Sequence, residues 1–446
     1  METEPKLVGL FGLFGIGNIG NDGSLESMVR FLQSVAPQER LLCICGDPAV
    51  VEKAFGLDAV PIYSRPRRWI GGRAGVVLQK AAGRATLWLH AWRHLRRLKV
   101  LIVPGMGVLD DFAVSPLGWP HDILSWCLLG RLMGVKVIFA SIGAGPIRHP
   151  VSRWFMKWAA RAAHYRSYRD MVSKAFMKSI GFDARNDPIY PDIAFRLPVP
   201  ASTGRQAGDG RPLTIGVGVM AYHGWHNDRT RGAAIYAAYL QKMTSFLVWL
   251  LDEGHNVRLL MGDQADRRAV DHLLQAVRSR RPDLGEDAIA FAPAYTLHEV
   301  MQQMADTDLV VATRYHNVVC ALRMGKPTIS VGYADKNDAL LAQMGLADFC
   351  QHIERLDVHL LEMQTRRLIS ARAAFERRIH EMRTQFESEL REQEGLLTSL
   401  ICPPPDDRTL PRKHFGSGFF SAFTRRRGEG STFGSMVGGP LPPDQA

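Results

Sequence analysis

Short apolar runs of strand length alternate with helical patterns in two separate series, and this rhythm constrains the fold more than any other feature. The first series places strands near 7–13, 40–45, 100–104, 135–142 and 163–168. The second restarts with strands near 213–220, 256–262, 308–312 and 328–332, and a helix near 233–253. Strands separated by helices predict parallel sheets with crossover helices. Between the series, 197–212 reads LPVPASTGRQAGDGRP and carries no hydrophobic period, which marks a linker. The expected architecture is α/β, two doubly wound Rossmann-like domains facing a cleft, over 1–196 and 213–400. Long, charge-laced helices fill 355–400, with Glu and Arg facing water. The segment 401–446, rich in Pro, Gly, Ser and Arg, reads as a disordered tail.

With 446 residues and 46% apolar residues, the chain can build two cores of ordinary size. Its six cysteines lack the paired spacing of a zinc site, so neither disulfides nor structural zinc are expected. No window reaches the roughly 18 uninterrupted apolar residues of a spanning helix, and the acidic start Met1 to Lys6 is unlike a signal peptide. A cytoplasmic protein is expected.

The net charge of +11 is concentrated, because 65–99 holds ten Lys or Arg residues and no acid. Such a stretch favours anionic partners. Leu87, Trp88, Leu89, Trp92, Leu95 and Leu98 recur there at helical spacings. The resulting basic amphipathic helix has two readings: it lies in a membrane interface, with the protein peripheral at the inner face, or it packs its apolar stripe on the first domain. No recognised nucleic-acid module accompanies it, and nucleic acid is not expected as a partner.

In open parallel sheets ligands sit beyond the carboxyl ends of strands, so the informative loops follow strands. After 7–13 comes Gly15-Ile16-Gly17-Asn18-Ile19-Gly20-Asn21-Asp22. It holds GxGxxG, but no acidic residue ends a clear second strand about 20 residues on to grip a ribose. Asn18 and Asp22 suit a sugar or small anion better than a dinucleotide. The next loop, Gly105-Met106-Gly107-Val108-Leu109-Asp110, brings Asp110 as an acid, a base or a helix cap. Small residues over 140–146 leave room in a cleft. Arg169, at the start of a helix, either turns its fork to an anion or pairs with Asp170 on the surface. Thr313-Arg314-Tyr315-His316 follows a strand directly, so Arg314 and His316 alternate on an extended turn and can face one ligand. Lys336, in Tyr333-Ala334-Asp335-Lys336, either adds charge to that cleft or is solvated.

In this order the loops resemble those of the polysaccharide pyruvyl transferase family, over about 7–349. The carrying motifs are Gly17-Asn18-Ile19-Gly20-Asn21-Asp22, Gly105 to Asp110, Ser167-x-Arg169-Asp170-x-x-Ser173 and Asp192-Ile193-Ala194-Phe195, followed by Arg314-x-His316, Gly325-x-Pro327 and Tyr333-x-x-Lys336. Met106 stands where the family usually has glycine, and Asn21 separates the first loop's glycine and aspartate. The resemblance implies a GT-B-like fold, phosphoenolpyruvate as donor and a saccharide, often lipid-linked, as acceptor in cell-surface or exopolysaccharide biosynthesis, with no cofactor or metal. It implies donor binding by Arg169, Arg314, His316 and Lys336, with Tyr333 beside them. It implies an acceptor side of Gly17, Asn18, Asp22, Gly105 and Asp110. His316 is expected as acid or phosphate ligand, and Asp110 or Asp22 as base. Two rivals differ in class. One is a GT-B glycosyltransferase with a nucleotide-sugar donor, for which Glu354 would have to hold a ribose. The other is a non-enzymatic anion-binding or interaction protein, which leaves Arg314, His316 and Lys336 without a purpose.

Overall fold

The computed structural model describes residues 6–63, 86–201, 212–225, 230–285 and 288–402. Two six-stranded sheets organise them. The first holds β1 (Leu7–Phe11), β2 (Leu41–Cys45), β3 (Asp58–Pro61), β4 (Leu98–Pro104), β5 (Lys136–Ile142) and β6 (Tyr165–Tyr168) in the order β3-β2-β1-β4-β5-β6. The second holds β7 (Thr214–Gly218), β8 (Asn256–Leu260), β9 (Ile289–Phe291), β10 (Leu309–Ala312), β11 (Thr328–Gly332) and β12 (Cys350–His352) in the order β12-β11-β10-β7-β8-β9. Every pairing is parallel. Counted from its own first strand, each sheet therefore has the doubly wound order 3-2-1-4-5-6.

Central strands are apolar throughout because helices cover both faces of a parallel sheet; β1, β10 and β11 are buried at every position. The edge strands β3, β9 and β12 are short and half-exposed. Helices α1 (Ile19–Val35) and α2 (Pro48–Phe55) follow β1 and β2. Residues 86–95 form α3, α4 (Trp119–Leu132) and α5 (Pro150–Ala162) lead out of β4 and β5, and α6 (Met171–Ser179) follows β6. In the second half α7 (Gly232–Asp252) and α8 (Arg267–Arg280) flank β8, α9 (Leu297–Ala305) precedes β10, α10 (Tyr315–Arg323) links β10 to β11, and α11 (Asp335–Gln343) follows β11. α7 is long and apolar enough to cross a bilayer by length and composition. Its Tyr239, Met243, Phe246, Leu247 and Leu250 are instead buried in the second core.

The charged region 355–400 forms α12 (Val358–Ser370) and α13 (Arg372–Ile401). α13 is not simply solvated, because it returns to the first half. Phe386 meets Phe195 edge to face at 5.1 Å, Gln393 bridges Ser141 and Ser167, Glu392 accepts from the Tyr190 hydroxyl, and Lys136 donates to the Leu400 carbonyl. Residues 6–402 thus form one compact unit. Of the expected linker, 202–211 lie outside the described residues, as do 65–85 of the basic stretch and all of 403–446.

Candidate active site

At the topological switch point of each sheet, between β1 and β4 and between β7 and β10, neighbouring strands run their connections in opposite directions and leave a crevice. The loops beyond these points face each other across a cavity of about 280 Å³. The first half contributes Ile16, Asn18, Asn21, Gly107, Asp110 and Arg169, and the second Gly262, Asp263, Arg314, Tyr315, His316, Tyr333 and Lys336.

Arg169 leaves the end of β6 and is buried, not on the surface. Its Nη1 donates to Asp192 Oδ2 at 3.1 Å and to the Gly105 carbonyl at 3.4 Å, its Nε is 3.6 Å from Asp170 Oδ2, and its guanidinium lies 3.9 Å over the Tyr315 ring. The two serines of its motif explain their spacing: Ser167 Oγ accepts from the Ser141 amide and Ser173 Oγ from the Ala144 amide, which pins the β5 loop beside the arginine. Asp170 caps α6 through the Ser173 amide. Gly105 lines no part of the cavity. It holds φ +60°, and a side chain there would strike Ile193 at 2.6 Å, so its contribution is the carbonyl that receives Arg169.

Arg314 and His316 do not lie on an extended turn. Arg314 is the residue before α10 and His316 sits in its first turn, so the N-terminal end of the helix borders the cavity. Arg314 grips Asp266 with both Nε (2.9 Å) and Nη2 (2.7 Å), while its Nη1 stands 3.6 Å from Asp263. Two of the three expected anion-binding cations are therefore already paired with buried acids. Lys336 differs. It opens α11 and lies 4.9 Å above the Tyr333 ring, and no acid stands within salt-bridge distance of it among the described residues. The place a Cβ would take on Gly107 is 3.1 Å from Asp110 Oδ2, 3.7 Å from Arg169 Nη2 and 4.0 Å from Lys336 Nζ, so these groups converge on one point.

His316 reaches across to the first half, its ring against Gly20 of α1 and its Nε2 3.8 Å from Asp192 Oδ2 without a hydrogen bond. Burial, reinforced by Arg169 and Lys336, pushes its pKa well below the ordinary histidine value, so the ring is neutral near pH 7. A neutral imidazole can accept a proton or a hydrogen bond. Asp110 shows the opposite tendency: burial raises its pKa against the pull of Lys336, the Phe112 amide and Arg169. Asp192 is also raised by burial, with Arg169 opposing.

Asn18 caps α1, its Oδ1 accepting from the amides of Gly20 and Asn21. Asp22 does not share a cavity with His316 and Asp110. With Gly17 it lines a neighbouring cavity of about 510 Å³, together with Glu26, Asp47, Gln264 and Tyr295, and Ile16 borders both spaces. Its Oδ1 accepts from the Gly15 amide, and burial lifts its pKa from 3.8 to about 6. The Gly17 carbonyl takes the Gln264 amide at 3.0 Å, a direct backbone bond between the two halves. Tyr333 packs among Phe112, Tyr222 and Trp225, and Glu354 is held by the Tyr222 hydroxyl at 2.6 Å. Sequence reasoning assigned no role to Asp192, Tyr315 or Asp266. Only Asp192 carried a signal, an acid heading an apolar triplet.

Comparison with known proteins agrees with this layout. No curated protein sequence matches the chain. Solved structures with a similar fold include the UDP-GlcNAc 2-epimerase from Methanocaldococcus jannaschii (TM-score 0.53, 10% identity, 81% of this chain and 92% of that one). They also include the UDP-GlcNAc 2-epimerase from Neisseria meningitidis bound to UDP-GlcNAc (0.53, 7%, 84% and 94%) and the glycotransferase of kitacinnamycin (0.53, 13%, 90% and 100%). At these identities the likeness is one of fold, and the fold is GT-B-like. The sequence pattern that defines polysaccharide pyruvyl transferases matches residues 18–335, a span that runs from the cap of α1 to one residue short of Lys336. The chain belongs to the polysaccharide pyruvyl transferase family.

Proposed function

We propose that the cleft transfers pyruvate from phosphoenolpyruvate to two hydroxyls of a saccharide, forming a ketal. The observation that carries this reading is the convergence of Lys336, Arg169, neutral His316 and Asp110 at the facing strand ends, beside the start of α10. Phosphoenolpyruvate bears a carboxylate and a phosphate on one carbon. Lys336, the start of α10 and Nη1 of Arg314, which stands 3.6 Å from Asp263, are suited to hold them, while Arg169, stacked on Tyr315 and paired with Asp192, lines the same cavity.

A proton must reach the methylene carbon, which leaves positive charge on the central carbon for a sugar hydroxyl to attack. Asp110, biased toward its protonated form, is the donor in this reading, and His316 takes the hydroxyl proton. Phosphate then leaves, the second hydroxyl closes the ring, and its proton departs with phosphate. The net change adds one hydrogen to the methylene and releases one phosphate per ketal. The saccharide occupies the adjoining cavity, where Asp22, Glu26, Asp47 and Gln264 offer hydroxyl partners beside the Tyr295 ring.

Unfolding temperature measured with phosphoenolpyruvate and with a panel of nucleotide-sugars tests the donor. At a hundred times its Kd a donor adds about 2.7 kcal/mol to stability. Stabilisation by phosphoenolpyruvate, lost in Lys336→Met, supports the proposal; stabilisation by a nucleotide-sugar alone overturns it.

A further inference from the structure

Helices α3, α4 and α5 lie side by side. The site of a Cβ on Gly130 of α4 is 3.5 Å from Leu95 of α3, His90 meets Trp126 at 6.1 Å, and His121 meets Phe155 at 5.7 Å. Each outer helix buries one face and leaves a second apolar stripe outside. On α5, Ser152, Met156, Ala159 and Ala160 are buried, while Trp154, Trp158 and Arg161 recur on the opposite side. On α3, Leu87, Ala91 and Leu95 are buried, and Leu89 (67% exposed) and Trp92 (49%) turn outward. Trp154 of α5 (53%) and Leu132 at the end of α4 (69%) are exposed as well.

Charge on this layer is one-sided. Its helices and the turn after α3 carry six arginines (Arg93, Arg96, Arg97, Arg131, Arg153, Arg161) and Lys157, against one acid, Asp122, which faces His121 at 3.4 Å. Arginines lie over two of the tryptophans: Arg96 stands 5.3 Å over the exposed Trp92, and Arg161 5.0 Å over the half-buried Trp158. An indole with a guanidinium above it matches a headgroup layer, where the ring enters the apolar boundary and the cation stays with phosphates.

We infer that the α3–α4–α5 face docks on an anionic lipid bilayer. The fitting occupant is a membrane because the layer combines exposed apolar and indole side chains with an almost wholly basic charge. α5 begins two residues after Arg148, which lines a third cavity reaching Lys336. A saccharide carried on a lipid would thus arrive beside the cleft, a consequence that rests on the pyruvyl-transfer reading although the docking itself does not.

The test is co-sedimentation of the full chain with vesicles of phosphatidylcholine alone or mixed with phosphatidylglycerol, at low and high salt. Two exposed-site variants, W92A/W154A and R96E/R161E, are compared after circular dichroism melts confirm unchanged folding. The expected result is binding to the anionic vesicles that weakens about tenfold or more on neutral vesicles, in high salt and in each variant. Equal binding to both lipids, no binding, or variants that bind like the parent would overturn the inference. So would a dimer, seen by sedimentation velocity without lipid and abolished by W92A/W154A, which would assign the face to a second copy.

Discussion

Replacing Gly20 by alanine sets two effects of opposite sign against each other. Gly20 is the second residue of α1 and needs no special backbone angle, so helix preference alone favours alanine by up to about 1 kcal/mol. The added Cβ, however, would overlap Nδ1 and Cγ of His316 and stand 2.8 Å from its Cβ. Because that ring is enclosed by α1 on one side and Asp192 on the other, relieving the overlap moves it, and overpacking of this kind costs about 1 to 3 kcal/mol. Gly20→Ala should therefore lower stability by about 1 to 2 kcal/mol in urea unfolding. In a His316→Gly background the ring and its Cβ are both gone and the same change should be neutral or mildly stabilising, a coupling of about 1 to 2 kcal/mol. Phosphate release from phosphoenolpyruvate should also fall about tenfold or more in Gly20→Ala, since a misplaced imidazole no longer meets the hydroxyl. If Gly20→Ala stabilises both backgrounds alike, the ring is not seated there and the account of the third glycine of GxGxxG is wrong.

Lys336→Met should raise KM for phosphoenolpyruvate by roughly ten- to a hundredfold with little change in unfolding temperature, as expected for a charged contact made only to ligand; a KM unchanged within error removes Lys336 from the donor site. Asp192→Ala leaves the buried Arg169 without its closest acid and should cost about 3 to 5 kcal/mol in urea unfolding, more than Asp192→Asn. The folded pKa of Asp22 is raised, so its contribution to stability is present below pH 3.8 and lost as pH rises through about 6. Asp22→Asn escapes that loss. Its stability relative to the parent should climb by about 2 to 3 kcal/mol between pH 4 and pH 7, and a flat difference would show the carboxyl to be ordinarily solvated.

The sheet centres were legible because burial on both faces writes a continuous apolar run, as at Leu309 to Ala312. Three of the four edge strands were not, since β3, β9 and β12 are half-exposed, and β3 and β12 mix polar with apolar residues. The return of α13 to the first half escaped reading for a similar reason: Gln393, Glu392 and Lys136 bond across more than 200 residues with side chains that look solvent-facing in sequence. At the site, motif order picked out Arg169, Arg314, His316 and Lys336, and all four line one cavity. Their ionic state was hidden. Nothing local says that Asp266 occupies Arg314, that Asp192 occupies Arg169, or that α1 of the other half buries His316 into neutrality. Asp22 lines a different cavity from Asn21, its neighbour in the sequence, because one step along a helix turns the side chain about 100° round the axis.

Pyruvyl transfer itself is tested most directly by following carboxyl-labelled phosphoenolpyruvate into saccharide. The protein is incubated with labelled donor and a saccharide acceptor pool that includes lipid-linked forms, and label in the saccharide fraction is compared with phosphate released. One phosphate per label incorporated, with both abolished in His316→Ala, is the predicted result. Phosphate release with no label in saccharide, or consumption of a nucleotide-sugar with no phosphoenolpyruvate turnover, would contradict it.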